Sequence, residues 1–172
     1  MGDQMKTHII RLLLSCLLII SVGACGWHLR GSVDLSFDAI YIDGSANSEV
    51  GKRIKERLNR KKTVNVVSDP RDAGISLKIL KENLEKKHSI ISSTGKVSEY
   101  ELLLKLEYEI TKSGADVDVV VDQLVIRRLM TYSDDNLVAK NSEEDSLIKD
   151  MYSEASRALL VRVSALSRAS GN

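Results

Sequence analysis

The most regular hydrophobic pattern in the chain runs from Leu102 to Ile110. Leu102, Leu104, Leu106, Tyr108 and Ile110 alternate with Glu101, Lys105, Glu107 and Glu109, and Leu103 is the lone apolar residue in the polar row. A period of two with one charged row predicts an antiparallel strand, one face on a core and one in water. Upstream, Ile75, Leu77 and Ile79 alternate with Ser76, Lys78 and Leu80, and the pattern continues less clearly through Leu84 and Lys87 to Ile91. Between the two runs, Ser92-Ser93-Thr94-Gly95-Lys96 predicts a hairpin turn, with Gly95 free to take a positive φ. A third run, from Val117 to about Tyr132, holds Val119, Val121, Leu124, Ile126 and Met130. Its alternation changes phase near Asp122-Gln123, which predicts a bulge or bend there.

Two stretches have a helical period instead. Val50, Ile54 and Leu58 recur every four residues behind Asn47 and Ser48, either of which can cap a helix from Glu49 to about Arg60. Ile148, Met151, Ala155, Leu159, Arg162 and Leu166 trace one side of a second helix. Ser142, with Asp145 three residues on, predicts its N-cap in a near capping box, and Leu137 to Lys140 reads as the connection into it. The β-formers Ala39 to Ile42 predict a first strand from Asp38 to Asp43, and Thr63 to Val67 a short strand or an extended link ended by the turn residues Ser68 to Asp72. The order is strand, helix, three mostly antiparallel strands, helix. It predicts an α+β fold, a two-layer sandwich of a mixed, mostly antiparallel four-stranded sheet with both helices packed on one face.

The first 24 residues do not belong to that pattern. Lys6 and Arg11 precede an apolar run from Leu12 to Val22, which as a helix spans only about 16 Å, roughly half a bilayer core. A basic start, a short apolar run and small residues before a cut site predict a secretory signal over residues 1–24. Val22-Gly23-Ala24-Cys25 resembles the lipobox of bacterial lipoproteins, which implies cleavage before Cys25 and lipidation of its thiol, leaving residues 25–172 as one mature domain. Several acyl chains hold a protein on a membrane essentially permanently. Gly26, rather than an acidic residue, follows the cysteine and resembles the default for transport onward to the outer membrane.

Charge and chemistry narrow the function. The 172-residue chain has a formal charge of +1, and loss of Lys6, Arg11 and Asp3 with the signal leaves 23 basic and 23 acidic side chains. A balanced domain has no global attraction to nucleic acid, so anionic partners must be met by local patches. One such patch is the first helix, with Lys52, Arg53, Lys55, Arg57, Arg60, Lys61 and Lys62, either a solvated face or a surface turned toward lipid headgroups or sugar phosphates. The cysteines are Cys16, lost with the signal, and Cys25, so no intramolecular disulfide is expected. His8, His28 and His88 are isolated, and no metal spacing, nucleophile elbow or phosphate loop occurs. Glu107 and Glu109 share a strand face and are the only foothold for a carboxylate-pair enzyme acting on envelope glycans. A small lipoprotein without catalytic residues or cofactors reads as a non-enzymatic binding or assembly component.

Cys25-Gly26-Trp27-His28-Leu29-Arg30 resembles the mature N-terminus of the LPS-assembly lipoprotein family LptE. The resemblance continues in Ser98-Glu99-Tyr100, in Leu137-Val138-Ala139-Lys140-Asn141, and in Leu147-Ile148-Lys149-Asp150-Met151-Tyr152 followed by Ala155. It implies an outer-membrane, lipid-anchored, periplasm-facing protein that plugs the β-barrel LptD, helps that barrel fold and assists delivery of lipopolysaccharide to the outer leaflet. Lys140 matches a lysine of the family and is a candidate LPS contact. Relatives can carry arginine just before the hairpin glycine, where Ser93 and Thr94 stand here, so Lys96 or the Lys86-Lys87 pair would supply that charge. The alternative is a pilot or chaperone lipoprotein for another outer-membrane complex.

Overall fold

A computed structural model describes residues 37–44, 46–62, 64–91, 97–114, 117–131 and 137–169. The export segment, Cys25, Trp27 to Arg30 and the hairpin turn with Lys96 lie outside the described residues. The chain order is β1 (Ala39–Asp43), α1 (Glu49–Lys61), β2 (Asn65–Val67), a single 3-10 turn (Pro70–Asp72), β3 (Ile75–Ile91), β4 (Val97–Lys112), β5 (Asp118–Thr131) and α2 (Leu137–Ala169). The strands form one mixed sheet in the order β2-β1-β3-β4-β5. β1 runs parallel to both its neighbours, and β3, β4 and β5 follow as an antiparallel meander.

The expected α+β sandwich is present, with five strands rather than four. The added strand is the extended link at Asn65–Val67, where Ala39, Ile40 and Tyr41 pair with Asn65, Val66 and Val67. Three residues carry too little alternation to announce a strand, and here the parallel neighbour supplies the order. Both helices cover one face. Val50, Ile54 and Leu58 from α1 and Met151, Ala155, Leu159 and Val163 from α2 pack with Ile40, Leu77, Leu104, Leu106 and Ile110 of the sheet. Each such side chain contributes roughly 1.5–3 kcal/mol by leaving water, so this one cluster is the main source of stability.

The unclear second half of β3 has a cause. The β3–β4 register shifts between Ile79 and Lys81, which leaves Leu80 as an extra residue. Before it Ile75, Leu77 and Ile79 face the helices; after it Glu82, Leu84 and Lys86 do so, opposite Leu106, Leu104 and Leu102. Gly44 meets this bulge. Its φ of +75° favours glycine, and a Cβ there would lie 2.9 Å from the Ile79 carbonyl oxygen.

Glu82, thrown inward by the bulge, completes the cap of α1. Ser48 is the N-cap, and its hydroxyl accepts from the Gly51 amide at 2.9 Å and donates to Glu82 Oε2 at 2.5 Å. The Glu49 and Val50 amides donate to the two oxygens of Glu82 at 3.0 and 3.2 Å. A strand carboxylate thus satisfies amides that the helix itself cannot, at the end where the dipole favours an anion.

Two expectations fail. β5 has no bulge at Asp122-Gln123: its pairing with β4 runs unbroken from Glu99–Thr131 to Lys112–Asp118. The apparent change of phase arises because Asp122 occupies an inward position opposite Tyr108, while Val119 and Val121 point outward from the sheet. Nor does Ser142 cap the last helix. α2 already begins at Leu137, and the Ser142 hydroxyl donates to the Val138 carbonyl one turn back. Ala139, Lys140, Glu143 and Glu144 are good helix formers, so the supposed connection continues the helix. α2 has 33 residues, about 50 Å at the helical rise, and runs beside the meander past the packed core.

Candidate functional site

The end of the molecule where β3, β4 and the start of α2 run beyond the core gathers two of the candidate lysines. Lys86 stands on the helix side of β3, opposite Leu102, because the Leu80 bulge puts it there. Its ammonium lies 2.5 Å from Glu144 Oε2 of α2 and 4.4 Å from the ring centroid of Tyr100. Lys140, one helical turn before Glu144, pairs with Glu143 Oε2 at 2.8 Å. Two lysines from different elements are thus held by adjacent carboxylates. His88 completes the cluster, its ring 5.1 Å from that of Tyr100 and tilted by 43°.

Lys87 is not part of it. It projects from the opposite face of the sheet, opposite Glu101, and binds Glu85 Oε2 at 2.7 Å, while Lys105 holds Oε1 of the same carboxylate at 3.3 Å. The hydrogen bonds from Lys87 and then Lys105 hold the Glu85 carboxyl below its usual range, and Glu85 in turn raises Lys87. Arg127 and Glu101, 2.7 Å apart, continue this charge lattice and flank Leu103, which is only 6% exposed despite its place in the polar row. Lys96 and Cys25 lie outside the described residues.

The cluster formed by Lys86, Lys140, Glu143 and Glu144 is neutral as it stands. A bare anion is not drawn to it from a distance; it must exchange with the carboxylates. That exchange is cheap, since partly exposed ion pairs contribute only about 0–1 kcal/mol. A phosphate group offers more charge and more acceptor oxygens than the glutamate it displaces. The arrangement suits a polyanionic, partly apolar ligand that covers Tyr100 while its charged groups reach the lysines.

A second polar group, which sequence reasoning missed, looks catalytic at first sight. Tyr108 donates to Asp122 Oδ2 at 3.0 Å, and the Arg162 guanidinium of α2 contacts the Tyr108 oxygen and lies 3.3 Å from the same Asp122 oxygen. Burial, then the bond to Asp122, raise the Tyr108 hydroxyl above its ordinary value despite Arg162. The Gln123 amide and then the Tyr108 hydroxyl hold Asp122 below its own. A tyrosine kept protonated is a poor base, so the trio serves to clamp α2 onto β5. It floors an open cleft of about 390 Å³ lined also by Ile110, Val120, Ala165 and Leu166. Two signals pointed to it: Arg162 on the apolar stripe of the helix and the carboxylate that broke the alternation of β5.

Glu107 and Glu109 stand on the open face in register with Lys81 and Lys78. Among the described residues no group of three or more His, Cys, Asp or Glu is placed to hold a metal ion. No helix among them is long and apolar enough to cross a membrane.

Comparison with known proteins agrees with this architecture. The LPS-assembly lipoprotein LptE of Pectobacterium atrosepticum is 27% identical over 162 residues, covering 91% of this chain and 85% of that protein. The solution structure of lipoprotein B from Nitrosomonas europaea superposes with a TM-score of 0.70 at 27% identity, over 83% of this chain and 92% of the other. Rare lipoprotein B from Shewanella oneidensis shares the fold, with a TM-score of 0.64 at 24% identity, over 75% and 96% of the two chains. Residues 37–163 match the family model LptE, described as lipopolysaccharide-assembly. With most of its length inside that match, the chain belongs to the lipopolysaccharide-assembly family LptE.

Proposed function

We propose that this chain is a non-enzymatic outer-membrane lipoprotein that plugs and stabilises the LPS-assembly barrel LptD and assists passage of lipopolysaccharide to the outer leaflet. In this reading residues 1–24 are removed on export, Cys25 carries the lipid, and the domain faces the periplasmic side of the membrane. The observation that carries it is the family match over residues 37–163, on a domain whose far end holds Lys86 beside the Tyr100 ring and Lys140 on α2, each paired with an exchangeable glutamate.

The surface fits a polar lumen. The open sheet face neutralises its own charges through Lys87–Glu85–Lys105 and Arg127–Glu101, so it can lie against a hydrated barrel wall without stranding a charge. The Lys86–Glu144 and Lys140–Glu143 pairs are then the contacts offered to phosphorylated lipid, and Lys96, outside the described residues, stays a candidate from the sequence. Depleting the protein tests the reading. LptD should lose its heat-modifiable folded form and lipopolysaccharide should fall at the cell surface; a barrel that stays folded at its normal level would contradict the assignment.

A further inference from the structure

The arginines of the described residues divide into two groups. Arg53, Arg71, Arg127, Arg128 and Arg162 each pair with a carboxylate (Glu49, Asp69, Glu101, Glu154 and Asp122), and Arg168 donates to the Ser164 carbonyl. Arg57, Arg60 and Arg157 have no such partner among the described residues, and Arg157 and Arg60 both lie near enough to Arg57 to act on its charge. Arg53, Arg57 and Arg60 stand at i, i+4 and i+7 of α1, on one stripe. That stripe borders α2, because Arg53 lies 5.9 Å from the ring centroid of Tyr152 and Arg157 follows little more than a turn later. The first position of the stripe is closed by Glu49 at 2.9 Å. The next is open.

Arg57 is half-buried, and its Nε–H is shielded from solvent with no acceptor. Desolvation first, then Arg157 and Arg60, depress the pKa of its guanidinium. An anion set against this seam would meet the shielded Nε–H and relieve the repulsion that Arg157 and Arg60 exert on Arg57. The α1 dipole does not supply the attraction, since Arg57 and Arg60 lie toward its C-terminal, electronegative end. The side chains alone must do so.

We propose that Arg57, Arg60 and Arg157 form a phosphate-binding site in the seam between α1 and α2. Three planar guanidinium forks match a group with three terminal oxygens and a charge near −2 better than a carboxylate with two oxygens and one charge. Arg157 lies about 20 Å along α2 from Glu144, so this seam is separate from the lysine cluster. The proposal does not depend on the barrel role: the phosphate belongs either to a lipid headgroup or to free phosphate.

The test uses the full mature chain in mild detergent, titrated with inorganic phosphate while the backbone amide resonances of α1 and α2 are followed, together with Arg57 Nε–Hε in the variants that keep Arg57. A saturable shift is expected, about tenfold weaker in binding for Arg57→Gln with Arg157→Gln. The exposed pair Lys52→Gln with Lys55→Gln removes the same charge from α1 and should bind within about twofold of the parent. Water-soluble short-chain phosphatidate and phosphatidylcholine, titrated in place of inorganic phosphate, identify the source. Binding to phosphatidate lost with the arginine pair assigns a headgroup, and response to inorganic phosphate alone assigns the free ion. Arg60→Gln, an exposed change that leaves the buried seam intact, should also weaken binding several-fold. No saturable shift in the parent, or equal weakening by the lysine and arginine pairs, would overturn the proposal.

Discussion

At the scale of single residues, the Leu80 bulge decides more than its own position. By inverting the later half of β3 it sends Glu82 to the α1 cap and Lys86 to the lysine cluster. Glu82→Ala strands the Ser48 hydroxyl and two helix amides, and should cost about 1–2 kcal/mol, the upper range for a lost cap. Urea unfolding checks this, and a midpoint within error of the parent would show that the cap closes without Glu82. Asp122 predicts a pH effect. A carboxyl held below its ordinary value stabilises the fold above its unfolded pKa of about 3.9 and loses that contribution as pH falls through the lower folded value. Asp122→Asn should therefore lose less stability than the parent between about pH 4 and pH 2, and parallel acid profiles would refute the clamp. In the proposed reading of the far end, Lys86→Gln with Lys140→Gln should weaken binding to lipopolysaccharide about tenfold with little change in unfolding midpoint. Unchanged affinity by titration would remove both residues from the site.

Elements show what patterning can and cannot announce. β4 was legible because its inner row is uninterrupted from Leu102 to Ile110 and its outer row is almost wholly charged. α1 was nearly as clear: of the two cap candidates, Asn47 and Ser48, the structure takes Ser48, and the helix runs to Lys61, one residue past the expected end near Arg60, where Lys62 takes a left-handed φ of 52°. β5 was misread where tertiary contact with Arg162 made an inward carboxylate tolerable, and no local pattern reveals such a partner 40 residues away. The same limit hid Glu82, which caps a helix 33 residues upstream. Ser142 was misread because a serine before acidic residues looks the same at a helix start and inside one. The lysine cluster was half legible: the resemblance singled out Lys140 and Lys86, but the glutamates holding them, and the opposite face taken by Lys87, needed the register. For α2, Leu159 is fully buried in the core, and Leu159→Ala should cost about 2–5 kcal/mol. A loss below about 1 kcal/mol would mean that α2 is not seated on the sheet as described.

At the scale of the whole molecule, one apolar cluster holds the two layers together and leaves both the open sheet face and the far end for partners. The open face holds the satisfied charges of Lys87–Glu85–Lys105 and Arg127–Glu101 beside an outward apolar row on β5 that includes Val119, Val121, Val125 and Leu129. The far end and the α1–α2 seam hold instead the cations proposed to meet anionic ligands. Cys25 places this domain at a membrane in the proposed reading, and Cys25→Ala should abolish incorporation of labelled palmitate; label retained in that variant would refute the anchor. The central claim, that the domain works inside a barrel, is tested most directly by purifying the tagged protein from outer membranes in mild detergent. Mass spectrometry of the purified complex should identify LptD at one copy per lipoprotein. Recovery of the mature chain alone, or with a different membrane complex, would contradict it.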